Sequence, residues 1–216
     1  MLRKLFLSFL VFFLPMTFSF AQEQERRPFF EDRFEGRLKD GWRWHRENPK
    51  GYRFVRNTLE VLMEPFADRD VRNALLRPAP DRKSGTYQIE LHIVTPTPFD
   101  NQYQQVGIFW TQNENVIFKF VREMIDGEIY IFPGKIPVKG SDTFLRLTVC
   151  GDSVIAEFKT EQGGEYLPAF EGKLPTQAEN ENIGVQCWHG PAKKEYWIKL
   201  KRFRIFKQEL PGDGKK

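Results

Sequence analysis

The chain has 216 residues, a formal net charge of +4 and 15% aromatic residues, and its acidic and basic side chains are interspersed without a basic block. That pattern does not indicate a nucleic-acid surface, and the length suits one domain with a substantial core rather than two domains and a linker. A monomer is expected.

Arg3 and Lys4 precede an apolar run from Leu5 to Leu14 and then Ser19-Phe20-Ala21. This is the three-part layout of a secretory signal peptide, with cleavage expected after Ala21. The run is shorter than the roughly 20 residues a spanning helix needs, and no later segment approaches that length, so no membrane span is expected. No Cys lies near the cleavage point to carry a lipid. The expectation is an exported protein, secreted or periplasmic. Losing Arg3 and Lys4 lowers the net charge to +2 and leaves about 195 residues. Residues 1–21 then form the signal, 22–28 a flexible segment, 29–207 the domain and 208–216 a flexible tail.

Strand signals dominate the mature chain. Phe30 to Leu62 combines strand fragments with a Trp-x-Trp pair, Trp42-Arg43-Trp44, and an Asn48-Pro49 turn. Tyr87, Ile89, Leu91 and Ile93 alternate with Gln88, Glu90 and His92, which predicts a strand buried on one face. Further strands are predicted over 106–111, 116–122, 129–132, 144–150, 154–160, 183–188 and 196–206. Asn113-Glu114-Asn115, Asp126-Gly127, Gly151-Asp152 and Gly163-Gly164 supply residues tolerant of positive φ and predict antiparallel hairpins. In the last strand Tyr196, Ile198 and Leu200 are even but Phe203 and Ile205 are odd, so a β-bulge is expected near Lys201 and Arg202. There is no internal repeat and no long amphipathic helix, and the pattern reads as an all-β, two-sheet antiparallel sandwich.

Cys150 and Cys187 are the only cysteines. Export makes a disulfide one reading; parity, which puts Cys150 opposite Leu145, Leu147 and Val149 but Cys187 with Ile183 and Val185, makes two free thiols the other.

Several blocks together resemble the concanavalin A-like (LamG-like) jelly-roll sandwich appended to family 43 glycoside hydrolases, the β-xylosidase C-terminal-like module. They are Phe30-Glu31-Asp32-Arg33-Phe34 with Leu38 and Trp42-Arg43-Trp44, then Asn48-Pro49 and Tyr52, Gln104-Gln105-Val106-Gly107-Ile108, and Asn115-Val116-Ile117-Phe118-Lys119. Leu145-Arg146-Leu147 with Gly151, and Ile183-Gly184-Val185, complete the series. The resemblance covers residues 30 to 206 and implies the sandwich fold and an association with carbohydrate. The family's catalytic propeller has no room here, so glycosidase activity is not implied.

The residues offer little nucleophile or metal chemistry. A glycosidase sets two carboxylates across a cleft, and Glu60, Glu90 and Glu157 lie on strands where alternation suggests a solvated face. Ser84, Ser141 and Ser153 sit in turn-like contexts without a nucleophile elbow. His45, His92 and His189 have no ligand spacing, so no metal site is expected. Asp68 and Asp70 are open to a structural calcium or to a salt-bridged turn; the turn is preferred because the roughly six to eight oxygens of calcium are missing.

Sugar binding asks for aromatic faces and planar polar groups. Trp188 is off the apolar parity of its strand, beside His189 at the strand end. Gln104, Gln105, Lys119, Arg146 and Gln186 are polar on strands that the resemblance places centrally, and must face water, a cleft or one another. Trp188, Gln105, Lys119, Arg146, Gln104 and His189 are therefore the candidate residues for a polysaccharide or oligosaccharide. The leading reading is an exported, non-catalytic module that binds glycan or assists its degradation. The others are a small secreted hydrolase or lyase, and an interaction domain without a sugar ligand.

Overall fold

A computed structural model describes residues 27–65, 71–113 and 115–208. The signal peptide to Ala21, the segment 22–26, Asp68 and Asp70, Glu114 and the tail from residue 209 lie outside the described residues.

In chain order the strands are β1 (Phe30–Asp32), β2 (Arg43–His45), β3 (Tyr52–Phe54), β4 (Leu59–Leu62), β5 (Ala74–Pro78), β6 (Thr86–Val94), β7 (Gln105–Gln112) and β8 (Asn115–Ile125). They continue as β9 (Glu128–Phe132), β10 (Ile136–Pro137), β11 (Asp142–Cys150), β12 (Ser153–Lys159), β13 (Leu167–Lys173), β14 (Glu181–Trp188) and β15 (Trp197–Gln208). The first sheet runs β13-β12-β11-β6-β15-β4-β3, with β1 also paired to β15; the second runs β10-β9-β8-β7-β14-β5-β2. All strand pairs are antiparallel. This is the two-sheet jelly-roll sandwich that the alternation predicts.

The inner faces meet as expected from the period of two. Ile89, Leu91 and Ile93 of β6, Leu145, Leu147 and Val149 of β11, and Val106, Ile108 and Trp110 of β7 share one core. Each such side chain contributes roughly 1.5–3 kcal/mol by leaving water. The register of β15 against β6 shifts between Leu200 and Arg202, so Ile198, Leu200, Phe203 and Ile205 all point inward. That is the expected bulge. Asp126 (φ 52°) and Gly127 (φ 84°) make the β8–β9 hairpin turn.

The opening motif has a structural explanation. The buried Asp32 carboxylate accepts hydrogen bonds from Phe34 N (2.7 Å), Lys39 N (2.9 Å) and Trp42 Nε1 (3.0 Å), which ties β1 to the loop before β2. Trp42 packs edge-on against Phe30 and Phe203. Asn48 caps a short 3-10 turn, Pro49–Gly51, and its amide donates to Glu64 (2.6 Å).

Two expectations need correction. The disulfide is absent: Cys150 and Cys187 are both free, Cys150 ending β11 on its outer side and Cys187 buried inside the other sheet. The parity difference therefore persists, because Gly151 turns the chain into β12 rather than toward β14. Glu60 and Glu90 do lie on an outer face, but they are buried rather than solvated. Arg53 (2.7 Å) and Lys199 (3.6 Å) cover Glu60, and Arg146 (3.2 Å) and Arg204 cover Glu90. Three strands, β5, β10 and β13, lie outside the expected set; in β13 Pro168 and Gly172 interrupt the pattern, and the strand pairs on one side only.

Candidate functional site

On the outer face of the second sheet the residues left over from core packing form a groove of about 420 Å³, within the usual range for ligand pockets. Three strands supply its centre. Across β7 and β14, Gln105 stands opposite Trp188, Gly107 opposite Gln186 and Phe109 opposite Gly184. Across β7 and β8, Gln105 faces Glu123 and Phe109 faces Lys119. Ala74 and Leu76 of β5 and His45 of β2 extend the lining to the far side.

Two glycines let the strands beneath the groove approach closely. A Cβ on Gly107 would lie 2.2 Å from Phe120 O, and one on Gly184 would lie 2.1 Å from Leu75 O. No larger residue fits either position without moving a strand. Phe109, only 3% exposed, gives the floor an apolar surface, and the indole of Trp188 stands at one end.

Beside Trp188 lies a compact polar cluster. The Gln105 side-chain amide donates to Glu123 Oε1 (3.0 Å), and Lys119 Nζ donates to Gln105 Oε1 (3.2 Å) and to Glu123 Oε2 (3.1 Å). Lys119 also lies 4.8 Å from the Phe132 ring centre. Glu123 and Gln105 are buried, and Lys119 supplies the counter-charge that an isolated buried carboxylate would lack. The cluster is thus a fixed set of donors and acceptors, held in rotamer by its own bonds. Glu123 lies buried behind Gln105 and Lys119, and no acid lines the groove itself among the described residues. A paired-carboxylate hydrolysis needs two carboxyl groups roughly 5–9.5 Å apart.

Of the six expected residues, Trp188, Gln105 and Lys119 come together here. His189 follows Trp188 in the left-handed conformation (φ 61°) and is clasped by the 101–103 loop: Asn101 Nδ2 donates to His189 O (3.0 Å), and Nδ1 lies 3.2 Å from Gln102 O. Its ring meets Trp188 and Tyr103 edge-on, so it orients the indole from behind. Gln104 does not reach the groove; it is fully buried, and its Oε1 accepts from the backbone N–H of Asp100 and Asn101. Arg146 belongs to the first sheet and faces the opposite side of the molecule. Centrality in the sequence could not distinguish the two outer faces. Glu123 and Phe109 were missed, although each shares strand parity with a residue that was found, Lys119 and Gln105 respectively.

No protein-family model matches the sequence, and no curated protein matches it. Solved structures do match in fold. The GH43 protein BlXynB from Bacillus licheniformis aligns with a TM-score of 0.66 at 12% identity, over 82% of this chain and 39% of that one. A xylan β-1,4-xylosidase from Bacillus halodurans aligns with a TM-score of 0.58, also at 12% identity, over 82% of this chain and 39% of that one. This chain therefore spans about two fifths of the length of those enzymes. A β-1,3-glucanase from Mycobacterium marinum aligns at 10% identity with a TM-score of 0.56, over 85% of this chain and all of that one. The sandwich is of the concanavalin A-like jelly-roll kind, and at these identities the likeness is one of fold.

Proposed function

We propose that the chain is an exported, non-catalytic sandwich module that binds a saccharide in the groove of the second sheet, as a binding or accessory element in glycan breakdown. The observation that carries this reading is the meeting of the Trp188 indole with the prebuilt Gln105–Lys119–Glu123 cluster beside the apolar surface of Phe109. A pyranose presents an apolar face to an aromatic ring and equatorial hydroxyls to planar donors and acceptors, and this groove offers both side by side. The fold's occurrence in glycoside hydrolases supports the same substrate class.

Titration calorimetry against a panel of soluble polysaccharides tests it. Binding by the native chain should weaken by about 1–3 kcal/mol in Trp188→Ala, the loss of one stacking contact, with the melting temperature nearly unchanged. Unfolding of Trp188→Ala, or no affinity for any glycan, would reject the groove. A catalytic reading draws on the glucanase that this chain spans in full. It requires sugar release from a glucan that disappears in Glu123→Gln.

A further inference from the structure

The outer face of the first sheet carries a second groove, of about 570 Å³, whose chemistry differs from that of the first. Across β12, β11, β6, β15 and β1 the residues Glu157, Arg146, Glu90, Arg204 and Glu31 stand opposite one another in turn, a row of alternating charge five strands wide. Within it Glu90 is shared: Arg146 Nε lies 3.2 Å from one oxygen, and Arg204 donates to the other. Glu31 is paired with Arg33 at 3.2 Å.

The groove around this row is not balanced. Six basic side chains line it, against two glutamates. The Arg202 side chain makes no hydrogen bond or ion pair to any described residue, and burial and the neighbouring Arg204 together hold its pKa below the ordinary arginine value. Lys159 meets only aromatic rings among the described residues, Tyr166 at 4.8 Å and Phe144 at 5.4 Å. Arg204 Nε is buried without a partner among the described residues. Unspent cationic donors thus converge on one cleft.

Its walls are aromatic. The Tyr166 ring lies flat under the Arg146 guanidinium, 3.5 Å from its centre, and Phe144 and Phe206 complete the lining. Glu90 and Gln88 on the floor can accept hydrogen bonds from hydroxyls. A ligand suited to this cleft has planar anionic groups for guanidinium forks, ring faces for aromatics and hydroxyls for the acceptors between them. A nucleic-acid strand offers tetrahedral phosphates rather than planar carboxylates, and a DNA strand lacks the ring hydroxyls.

We propose that this groove binds a uronate-containing oligosaccharide, with its carboxylates held by Arg202, Arg204 and Lys159 and its rings laid against Tyr166 and Phe206. The site lies on the opposite face from the Trp188 groove and does not rest on that reading.

The test is titration calorimetry of the purified chain at low ionic strength with tetragalacturonate and with its fully methyl-esterified form, which keeps the rings and removes the charge. Tetragalacturonate should bind, the ester should not, and added salt should weaken the complex. Arg202→Ala should reduce affinity at least about fivefold, near 1 kcal/mol, without lowering the melting temperature, since the Arg202 side chain bonds to no described residue. Lys159→Ala should act in the same direction, while Trp188→Ala should leave uronate affinity unchanged. Equal affinity for the ester, native affinity in both Arg202→Ala and Lys159→Ala, or no binding of tetragalacturonate would overturn the proposal. So would tighter binding of a single-stranded oligonucleotide of the same charge.

Discussion

Arg82 and Glu181 meet fork to fork: Arg82 Nη2 lies 2.7 Å from one carboxylate oxygen and Nε lies 3.0 Å from the other. The remaining Arg82 donors reach Gly151 O (2.8 Å), Asp152 (2.7 Å) and Pro175 O (2.6 Å), and Trp110 Nε1 donates to Glu181 (2.9 Å). One guanidinium thereby ties the β11–β12 turn of the first sheet to β14 of the second.

Arg82→Ala should therefore be costly. It leaves Glu181 buried without its counter-charge, and breaking such a pair from one side typically costs about 3–5 kcal/mol. Denaturant unfolding followed by Trp fluorescence should show the loss as a lowered midpoint with a similar slope. A change below about 1 kcal/mol would mean that the fork contributes nothing beyond a surface pair.

The same carboxylate sets an acid limit. Burial alone would raise the Glu181 pKa, but hydrogen bonds from Arg82 and Trp110 and the Arg82 charge outweigh it and hold the group below its ordinary value of 4.5. A depressed folded-state pKa means that the stabilisation is complete above the unfolded value and fades as pH falls through the folded one. Unfolding free energy should drop as pH is lowered from 4.5, and Glu181→Gln should be less stable at neutral pH with a flatter acid limb. Parallel pH profiles for the two proteins would contradict this.

The thiols should behave unequally. Burial, and next the charge of Glu64, push Cys187 up to about 12, whereas Cys150 is exposed. Mass spectrometry after brief treatment of native protein with an alkylating reagent should find one label, on Cys150, and a second only after unfolding. A native protein that takes no label until reduced would restore the disulfide.

Lys201 is the extra residue of the bulge, and its deletion tests register. Ile198 and Leu200 point inward on one side of it, Phe203 and Ile205 on the other. Removing Lys201 leaves these four side chains in unbroken alternation, so all of them still point inward and no apolar surface is exposed. The deletion should therefore keep its cooperative thermal transition, as should Lys201→Ala, which forfeits only a bond to Thr58; loss of the transition on deletion would show that the strand needs the bulge.

The bulge was legible because parity is a local property: the even-to-odd switch from Leu200 to Phe203 is written in neighbouring residues. So was the outward direction of Trp188. What the alternation cannot report is which outer face a residue joins. Arg146 and Lys119 look alike in sequence, but they lie on opposite sides because β11 and β8 are assigned to different sheets by connections that carry no periodic signal. Glu90 reads as a solvated acid for a related reason. Its cover comes from Arg204, 114 residues away, and no local pattern announces that pairing.

The pairing of β1 with β15 sets the order in which the protein can be made. Phe30 faces Ile205, and β15 also supplies a partner to β4 and to the full length of β6. A ribosome delivers β15 after every other strand of the sandwich, so the middle of the first sheet waits open at its most apolar seam until that strand arrives. Folding of the sandwich must then follow synthesis of β15 rather than accompany the growth of the strands before it, and the nascent protein needs those exposed strands shielded until β15 arrives.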